Sequence, residues 1–428
     1  MALMWTRRDI VRLGLLGWGL SSFAPRAGAR TPAHKRGPRY AILMHLMGGM
    51  DSIYTTDPKR KGEVESWVDL SYEEDAIVRG RGLLLGPHLA ALANQEQMAI
   101  VNGVQLGTAN HDTGYDQFMR MRRGVSKRIP MLLDLIGMDR DGQPMSTITL
   151  GSGDYAYYSS QWFGLMDGTI PAGNDPAPPS DIFTVIDAET EEADLPRLAR
   201  VLRRHAGKLR ASSRPRSRVA ASNLRQVADL FDRLPSLPPF RPRPWSRDAT
   251  AQGIAVQLQR VLWALEHDLA SGIQMGIGQD WDSHYHNARN QQSCNAAFFP
   301  MLARFLEEMK ALETPHGSLF DSTLMVVGSE IGRFPGINSD DGKDHLSQAP
   351  YLFFGGAVRP GHGAGASFGP TGRRMEGLPT SSRTGRLDRS ASPLVLDDLG
   401  TTILSLMGKN PETLGYRGRY LRFIGGHS

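Results

Sequence analysis

Cysteine is almost missing from this sequence. Cys294 is the only cysteine among 428 residues, which excludes an internal disulfide bond and a cluster of thiolate metal ligands. Any metal ion bound by the chain must therefore be held by histidine, carboxylate or hydroxyl groups. Long apolar runs are also scarce, and the mean hydropathy of −0.33 argues against a protein with several membrane spans.

The first 29 residues resemble an export signal of the twin-arginine type. Residues 6–12 read TRRDIVR, a moderately apolar stretch follows over residues 13–24, and Ala27-Gly28-Ala29 forms an A-x-A cleavage site. The apolar stretch is too short and too rich in glycine for a stable membrane span. We therefore expect export to the periplasm or the extracellular space, with the twin-arginine translocase as the partner during export. The alternatives are an uncleaved anchor and a chance match.

Much of the positive charge belongs to this N-terminal segment. Residues 1–29 contain four arginines and one aspartate, so the net charge of +5 falls to +2 for the rest of the chain. Proteins that bind nucleic acid carry a much larger basic surface. We therefore expect no nucleic-acid partner.

Apolar runs typical of strands alternate with amphipathic runs typical of helices along the remaining chain. This alternation predicts an α/β fold with a largely parallel sheet and helices on both faces. Length alone would allow two or three domains, but α/β enzymes often exceed that length in one. We predict a single domain over residues 30–428, with a helical and proline-rich insertion at about 154–247. The predicted strands are 40–47, 97–104, 145–150, 273–278, 323–327 and 351–355, and the strongest predicted helix is 251–271.

Ionisable side chains follow four of the predicted strands at the point where each strand ends. Ligands of open α/β sheets bind outside the carboxyl ends of the strands, so groups from distant parts of the sequence can meet there. Histidine and carboxylate groups are the ligands that borderline and hard divalent ions prefer. The groups in this position are Asp51, His111 with Asp112, Asp282 with His284, and Glu330 with Asp344 and His345.

Structural roles remain open for the same residues. Asp51 could stabilise a turn or cap a helix, and Asp282 could cap the helix that follows it. His111 could be a hydrogen-bonded structural histidine. Glu330 could pair with Arg333 in a structural salt bridge.

Several short motifs together resemble the exported bacterial family known as domain of unknown function 1501. The family patterns are GG-x-D near the start, [GW]-D-[TS]-H in the middle, and later S-E-[FI]-G-R and G-x-D-H. The resemblance covers nearly all of the chain after residue 29. The matching segments are Gly48-Gly49-Met50-Asp51, Trp281-Asp282-Ser283-His284, Ser329-Glu330-Ile331-Gly332-Arg333 and Gly342-Lys343-Asp344-His345.

That family is similar to the superfamily of alkaline phosphatases and sulfatases. The similarity implies a three-layer α/β/α sandwich that holds one or two divalent metal ions at the strand ends. Asp51 matches the metal-binding aspartate after the first strand of the superfamily. Glu330 lies where the superfamily motif Ser-Asp-His-Gly supplies two ligands, and Ile331 occupies the second position. The resemblance implies a divalent cofactor (Zn²⁺, Mn²⁺, Ca²⁺ or Mg²⁺) and the ligand candidates Asp51, Asp282, His284, Glu330, Asp344 and His345.

The resemblance also implies a hydroxyl nucleophile at a helix start after an early strand, where the helix dipole and a metal ion lower its pKa. Thr113 and then Thr108 are the preferred catalytic candidates, with His111 beside them, and Ser52 is a further possibility. The sulfatase signature C/S-x-P-x-R is absent from the sequence. The expected function is metal-dependent hydrolysis of a phosphate or sulfate ester on a small molecule or a polysaccharide. The alternative is a secreted binding or structural protein without catalysis on the same scaffold.

Overall fold

The computed structural model describes most of the chain after the predicted signal. The predicted signal, residues 1–29, and the first part of the predicted insertion, residues 154–194, lie outside the described residues. Among the residues that the structure describes, no helix is both long enough and apolar enough to cross a membrane. The described residues are 37–70, 72, 74–80, 83–124, 130–137, 145–150, 195–211, 215–277, 279–314, 317–360 and 366–425.

A sheet of seven strands lies at the centre of the described structure, in the order β7-β2-β6-β5-β1-β4-β3. Strand β6 runs antiparallel to its neighbours β2 and β5, and every other pairing in this sheet is parallel. The strands are β1 (Tyr40–Leu46), β2 (Met98–Gln105), β3 (Met145–Leu150), β4 (Ala270–Ile277), β5 (Thr323–Gly328), β6 (Gln348–Phe354) and β7 (Ala366–Phe368).

Helices cover both faces of this sheet. They are α1 (His111–Arg120), α2 (Leu132–Gly137), α3 (Leu195–Arg210), α4 (Pro215–Arg233), α5 (Ala249–Glu266), α6 (Asn287–Ala311), α7 (Leu396–Leu406) and α8 (Arg422–Gly425). Ile42 and Met44 of β1 pack with the apolar side chains of α3 to α6, whereas Ala41 and Leu43 pack with those of α1, α2, α7 and α8. Alternate residues of one strand therefore face two helical layers. The predicted three-layer α/β/α sandwich with a largely parallel sheet is confirmed.

Shorter elements connect the layers. The antiparallel pairs are Val78–Gly80 with Leu83–Leu85, Glu313–Thr314 with Gly317–Ser318, and Gly332–Arg333 with His345–Leu346. The 3₁₀ turns are Lys61–Glu63, Glu74–Ala76, Pro87–Leu92, Leu234–Ser236 and Glu412–Leu414.

The direction of β6 keeps one long segment at a single edge of the sheet. Strand β5 ends at Gly328 on the carboxyl edge, and the antiparallel β6 begins at that same edge with Gln348. Residues 329–347 therefore stay beside the ends of β1, β2 and β4. The short pair Gly332–Arg333 with His345–Leu346 folds this segment back on itself.

The predicted strands are all present, with ends that differ by a few residues. The clearest error concerns α5, which was predicted to run to Ser271 but ends at Glu266. The chain turns at Asp268, whose φ of 51° is left-handed, and Ser271 belongs to β4. Leu265 and Leu269 are both buried, so the apolar pattern continues across this turn and hides it. The three-residue strand β7 was not predicted.

Asp134 is a buried carboxyl group in α2 that makes stability depend on pH. Burial raises its pKa to about 7, with contacts to Thr147 and Arg120 offsetting only part of this effect. One of its oxygens has no hydrogen-bond partner among the described residues. Because the unfolded pKa is about 3.9, the folded state binds this proton more tightly, and stability falls as the pH rises from about 4 to 7.

We expect Asp134→Asn to be more stable than the unchanged protein by about 2–4 kcal/mol at pH 8, and much less so at pH 4. Urea unfolding at both pH values measures this difference. The exposed Asp75 provides the matched control, since Asp75→Asn removes the same charge without relieving burial. Equal effects of the two substitutions at pH 8 would contradict the assignment.

Candidate metal centre

His111 is the first residue of α1 and therefore lies at the carboxyl edge of β2. The helix begins there because Asn110 is its N-cap: the Asn110 side chain accepts a hydrogen bond from the Thr113 backbone N–H at 3.0 Å. This cap fixes the backbone of His111 and points the imidazole toward the segment 329–347.

Three imidazole rings meet at this edge. The Nε2 atom of His345 lies 2.8 Å from Nε2 of His284 and 3.1 Å from Nε2 of His111. The Nδ1–H of His345 donates to the carbonyl of Ala109 at 2.7 Å. Because a carbonyl only accepts, the Nε2 atom of neutral His345 carries a lone pair, and one lone pair cannot satisfy two other rings well.

Asp282 supplies a carboxylate to the same point. Its oxygens lie 3.4 Å from Nε2 of His111, 3.3 Å from Nε2 of His284 and 3.7 Å from Nε2 of His345. We call these four residues the histidine–aspartate cluster. One ligand atom each from His111, Asp282 and His345 lies within 4.8 Å of the other two.

The cluster has the dimensions of a tetrahedral metal site. Nitrogen or oxygen ligands about 2.0–2.1 Å from Zn²⁺ are separated from one another by about 3.3 Å. The separations of the His345 Nε2 atom and of the Asp282 oxygens from the other ligand atoms range from 2.8 to 3.7 Å and bracket that value. His111, Asp282 and His345 form the set whose ligand atoms all lie within 4.8 Å of one another, and His284 lies beside it. Three imidazoles and one carboxylate are also a donor set that Zn²⁺ accepts. The residues therefore fit a divalent ion.

Each imidazole of the cluster has an oxygen atom at its other nitrogen. Nδ1 of His111 lies 2.6 Å from Glu330, that of His345 faces the Ala109 carbonyl, and that of His284 lies 3.4 Å from Asp344. Oxygen acceptors at Nδ1 favour a proton there, so Nε2 would be the nitrogen that binds a metal ion. Histidines that ligate metals in proteins show this pattern.

Glu330 is almost completely buried behind the cluster. One oxygen accepts from the Gly48 backbone N–H at 2.9 Å and from His111, and the other accepts from Nε2 of His45 at 2.7 Å. Burial alone would raise the pKa of Glu330, but the charge of His45 and the hydrogen bond from His111 lower it to about 2. Burial likewise lowers the pKa of His111, and hydrogen bonds to Asp282 and Glu330 outweigh this and raise it to about 9.

Arg333 holds the carboxylate of Asp282. Its guanidinium is fully buried and hydrogen-bonds to Asp282, to the Gly48 carbonyl and to the Lys343 carbonyl. Burial would raise the pKa of Asp282, but the contacts with His111 and Arg333 lower it well below its usual range. Arg333 thus pairs with Asp282 and not with Glu330, the partner considered from the sequence.

Asp51 lies in a separate set of contacts. Its carboxylate accepts from Nζ of Lys343 at 2.8 Å, from the Asn287 amide at 3.1 Å and from the Ile53 backbone N–H at 3.0 Å. Asp69 lies 3.2 Å from the same ammonium group. We call Lys343, Asp51 and Asp69 the buried ion cluster, since their side chains are at most 11% exposed.

The glycines of the early motif allow this packing. Gly48 has a φ of 100°, and a Cβ atom on it would lie 2.2 Å from the Asp282 backbone nitrogen. Only glycine adopts this conformation easily and leaves room for Asp282. The GG-x-D motif therefore brings the end of β1 against the Asp282 segment.

The structure thus brings His111, Asp282, His284 and His345 together. Glu330 and Asp344 lie behind two of the imidazoles, and Asp51 lies in the buried ion cluster. Thr113 is exposed in the first turn of α1, while the Thr108 hydroxyl accepts from the Asn110 backbone N–H at 3.1 Å. Their role as nucleophile stays a prediction.

Known proteins provide a further comparison. Residues 263–428 match the family model described as protein of unknown function DUF1501. The match confirms the family resemblance over this stretch. No curated protein matches the sequence at a significant level.

Solved structures of low identity also resemble this chain. One is a protein of the alkaline phosphatase superfamily from Vibrio parahaemolyticus, with 13% identity over 97% of this chain and 78% of that one, at a TM-score of 0.41. Another is the PsFucS1 sulfatase from Pseudoalteromonas sp., with 12% identity over 91% of this chain and 72% of that one, at a TM-score of 0.40.

Two residues that contact the predicted site residues could not be recognised from the sequence as part of the site. His45 sits in β1 between apolar neighbours, and a lone histidine in an otherwise apolar strand was the available signal. Lys343 lies in the motif Gly342-Lys343-Asp344-His345, and its full burial could not be read from that motif.

Proposed function

We propose that this chain is an exported, metal-dependent hydrolase of a phosphate or sulfate ester. The observation that carries the proposal is the histidine–aspartate cluster, in which each imidazole has an oxygen atom at Nδ1 and Nε2 of His345 lies within 3.1 Å of Nε2 of both other imidazoles. The ester class rests on the family resemblance and goes beyond the geometry of the cluster. Export rests on the twin-arginine pattern of residues 6–12.

The proposed metal ligands are His111, Asp282 and His345, and His284 lies beside them as a further candidate. Three protein ligands would leave a position for a water molecule or an ester oxygen. This set differs from the one expected from the sequence: His111, a catalytic candidate there, becomes a ligand, Glu330 and Asp344 lie behind His111 and His284, and Asp51 would not take part. Imidazole ligands with one carboxylate favour Zn²⁺ over Mg²⁺ or Ca²⁺, which prefer oxygen ligands. A bound ion would polarise the ester oxygen and lower the pKa of a bound water.

The surrounding residues would keep the cluster ready to bind. Glu330 holds the proton of His111 on Nδ1, so a metal ion would displace only the Nε2 proton and bind at that nitrogen. Arg333 orients the Asp282 carboxylate and keeps it ionised. The attacking group would be a water molecule or a hydroxyl near the start of α1, where Thr108 and Thr113 are the candidates and the helix N-terminus favours negative charge.

Metal content and turnover test the proposal together. Protein purified after growth in metal-replete medium is expected to hold about one equivalent of a divalent ion, and to hydrolyse p-nitrophenyl phosphate or p-nitrophenyl sulfate. Chelation should stop turnover and added Zn²⁺ should restore it. Less than about half an equivalent of metal would contradict a metal enzyme.

A secreted binding protein is the second candidate. One observation favours it: Asn110 at the start of α1 uses its side chain as the helix cap and offers no hydroxyl. A full equivalent of metal without turnover of either ester would support this candidate.

The export signal can be tested separately. Changing Arg7-Arg8 to Lys-Lys is expected to leave most of the precursor in the cytoplasm, because the translocase reads the arginine pair. Cell fractionation measures the distribution, and changing Arg26 to Lys provides the control outside the pair. Unchanged export of the Lys-Lys variant would contradict the assignment.

A further inference from the structure

Exposed aromatic side chains lie on the segments that carry the histidine–aspartate cluster or stack on such a segment. In the part of the chain that the structure describes, the exposed aromatic residues are Trp67, Phe334 and Tyr285, with 42%, 42% and 63% of their surface accessible. Tyr285 directly follows the cluster residue His284, and Phe334 directly follows Arg333. Exposed apolar surface beside a polar site is typical of ligand binding.

Two of these rings form a stacked pair. Trp67 and Phe334 stack with their centroids 5.6 Å apart and their planes inclined by 18°. Gly336 permits this contact, since a Cβ atom on it would lie 3.2 Å from the indole and 3.3 Å from the phenyl ring. We call this pair the aromatic platform.

Hydrogen bonds tie the aromatic platform to the metal centre. The Phe334 backbone N–H donates to the Asp344 carbonyl at 2.7 Å, and Asp344 is the residue behind His284. The Asp69 backbone N–H donates to the Pro335 carbonyl at 2.8 Å, and the Asp69 side chain contacts Lys343. Both loops that carry the rings are therefore fixed relative to the cluster, and a ligand would find the surface already formed.

Polar groups surround the aromatic platform. The indole N–H of Trp67 donates to Glu65 at 2.9 Å, and Asn338 donates to Asp344 at 3.2 Å. Amide and carboxylate groups beside a flat apolar face suit a ring that is apolar on its faces and carries hydroxyl groups on its edge.

We propose that the aromatic platform binds a sugar ring that carries the ester to be hydrolysed. The outer face of the stacked pair would receive the face of the sugar, while Glu65, Asn338 and Asp344 would accept or donate hydrogen bonds at its edge. This inference rests on the proposed hydrolase function and names its substrate class as a saccharide ester.

Other partners fit this surface less well. A stable protein interface involves about 20–30 residues on each side, far more than the platform and its neighbours. Nucleic acid is disfavoured because Asp340, Asp341 and Asp344 are exposed on the same segment and repel phosphates.

Direct binding tests the proposal without relying on turnover. The probes are glucose 6-sulfate, galactose 6-sulfate and glucose 6-phosphate, with inorganic sulfate and phosphate as anions without a sugar, and AMP as a nucleotide. Calorimetry on the full-length purified protein is expected to show at least one sugar ester that binds about tenfold more tightly than its inorganic anion. Trp67→Ala should remove this advantage, and Trp67→Phe should retain most of it. Val201→Ala is the control, since Val201 is equally exposed, at 44%, on α3.

The outcomes separate this proposal from the proposed function. Sugar esters that bind no better than the inorganic anions, or an advantage that survives in Trp67→Ala, would overturn the platform as a sugar site. AMP binding that exceeds that of phosphate and is lost in Trp67→Ala would replace the sugar by a nucleobase. Metal content measured on the same samples reports on the hydrolase independently, because metal-free protein can still bind a sugar at Trp67.

Discussion

Replacing His345 with alanine is expected to lower metal affinity more than about 100-fold and to abolish metal-dependent ester hydrolysis. Substituting a residue that only supports a metal ligand typically lowers metal affinity about 10–100-fold. A larger loss is expected for His345 because it is proposed as a ligand itself. Its Nε2 lies within 3.1 Å of both other imidazoles, so its loss opens the centre of the cluster. Equilibrium dialysis against Zn²⁺ measures the change. Its side chain is 24% exposed, so the fold is expected to survive the substitution.

Two matched variants sharpen this test. Glu330→Gln keeps the shape of the side chain but removes the charge behind His111, so we expect an intermediate loss of about 10–100-fold in metal affinity. His286→Asn removes an exposed histidine close to the cluster, and asparagine tolerates its φ of 49°. This control is expected to bind metal normally. Retention of metal by His345→Ala would remove that residue from the ligand set. Imidazole added to His345→Gly should restore part of the binding if the ring itself ligates.

Replacing Lys343 with methionine is expected to lower the free energy of unfolding by about 3–5 kcal/mol, because one partner of a buried ion pair is lost. Methionine matches the stem of lysine, but the carboxylates of Asp51 and Asp69 would stay buried without their cation. Asp51 is 1% exposed at its side chain and cannot recover its hydration. Urea unfolding measures the change.

A second substitution distinguishes charge from packing. Adding Asp51→Asn to Lys343→Met removes one of the uncompensated charges, so the double variant is expected to regain part of the lost stability. If the loss of unfolding free energy in the double variant equals the sum of the losses in Lys343→Met and Asp51→Asn, packing and not charge dominates. A Lys343→Met protein within about 0.5 kcal/mol of the unchanged one would show that the buried ion cluster contributes little.

The positions of the site residues could be predicted from local sequence, but their partners could not. An apolar strand that ends in polar residues marks Asp51, His111, Asp282 and Glu330 at the carboxyl edge without further information. Which of them meet depends on the order of the strands. His111 follows β2 and His345 precedes β6, and these strands become neighbours only through pairings between distant parts of the chain.

Asp51 lies apart from the histidine–aspartate cluster because its contacts also come from distant parts of the chain. Its partner Lys343 lies 292 residues away, and no local pattern distinguishes a buried lysine from an exposed one in a polar motif. Glu330 shows the converse case. The sequence places it correctly at the end of β5, yet its role depends on His45, which an apolar strand conceals.

The order of the strands has a consequence for the stretch that carries the family match. Strands β4 to β7 all lie within residues 263–428, yet β4 pairs only with β1 and β3, and β7 pairs only with β2. Among these four strands, β5 and β6 alone are hydrogen-bonded to each other. The boundary at residue 263 also cuts through α5. Strands from before and after residue 263 are thus interleaved in the central sheet. Neither part of the chain contains a continuous sheet by itself. The family-model match over residues 263–428 therefore covers a stretch of sequence that does not form a continuous sheet by itself.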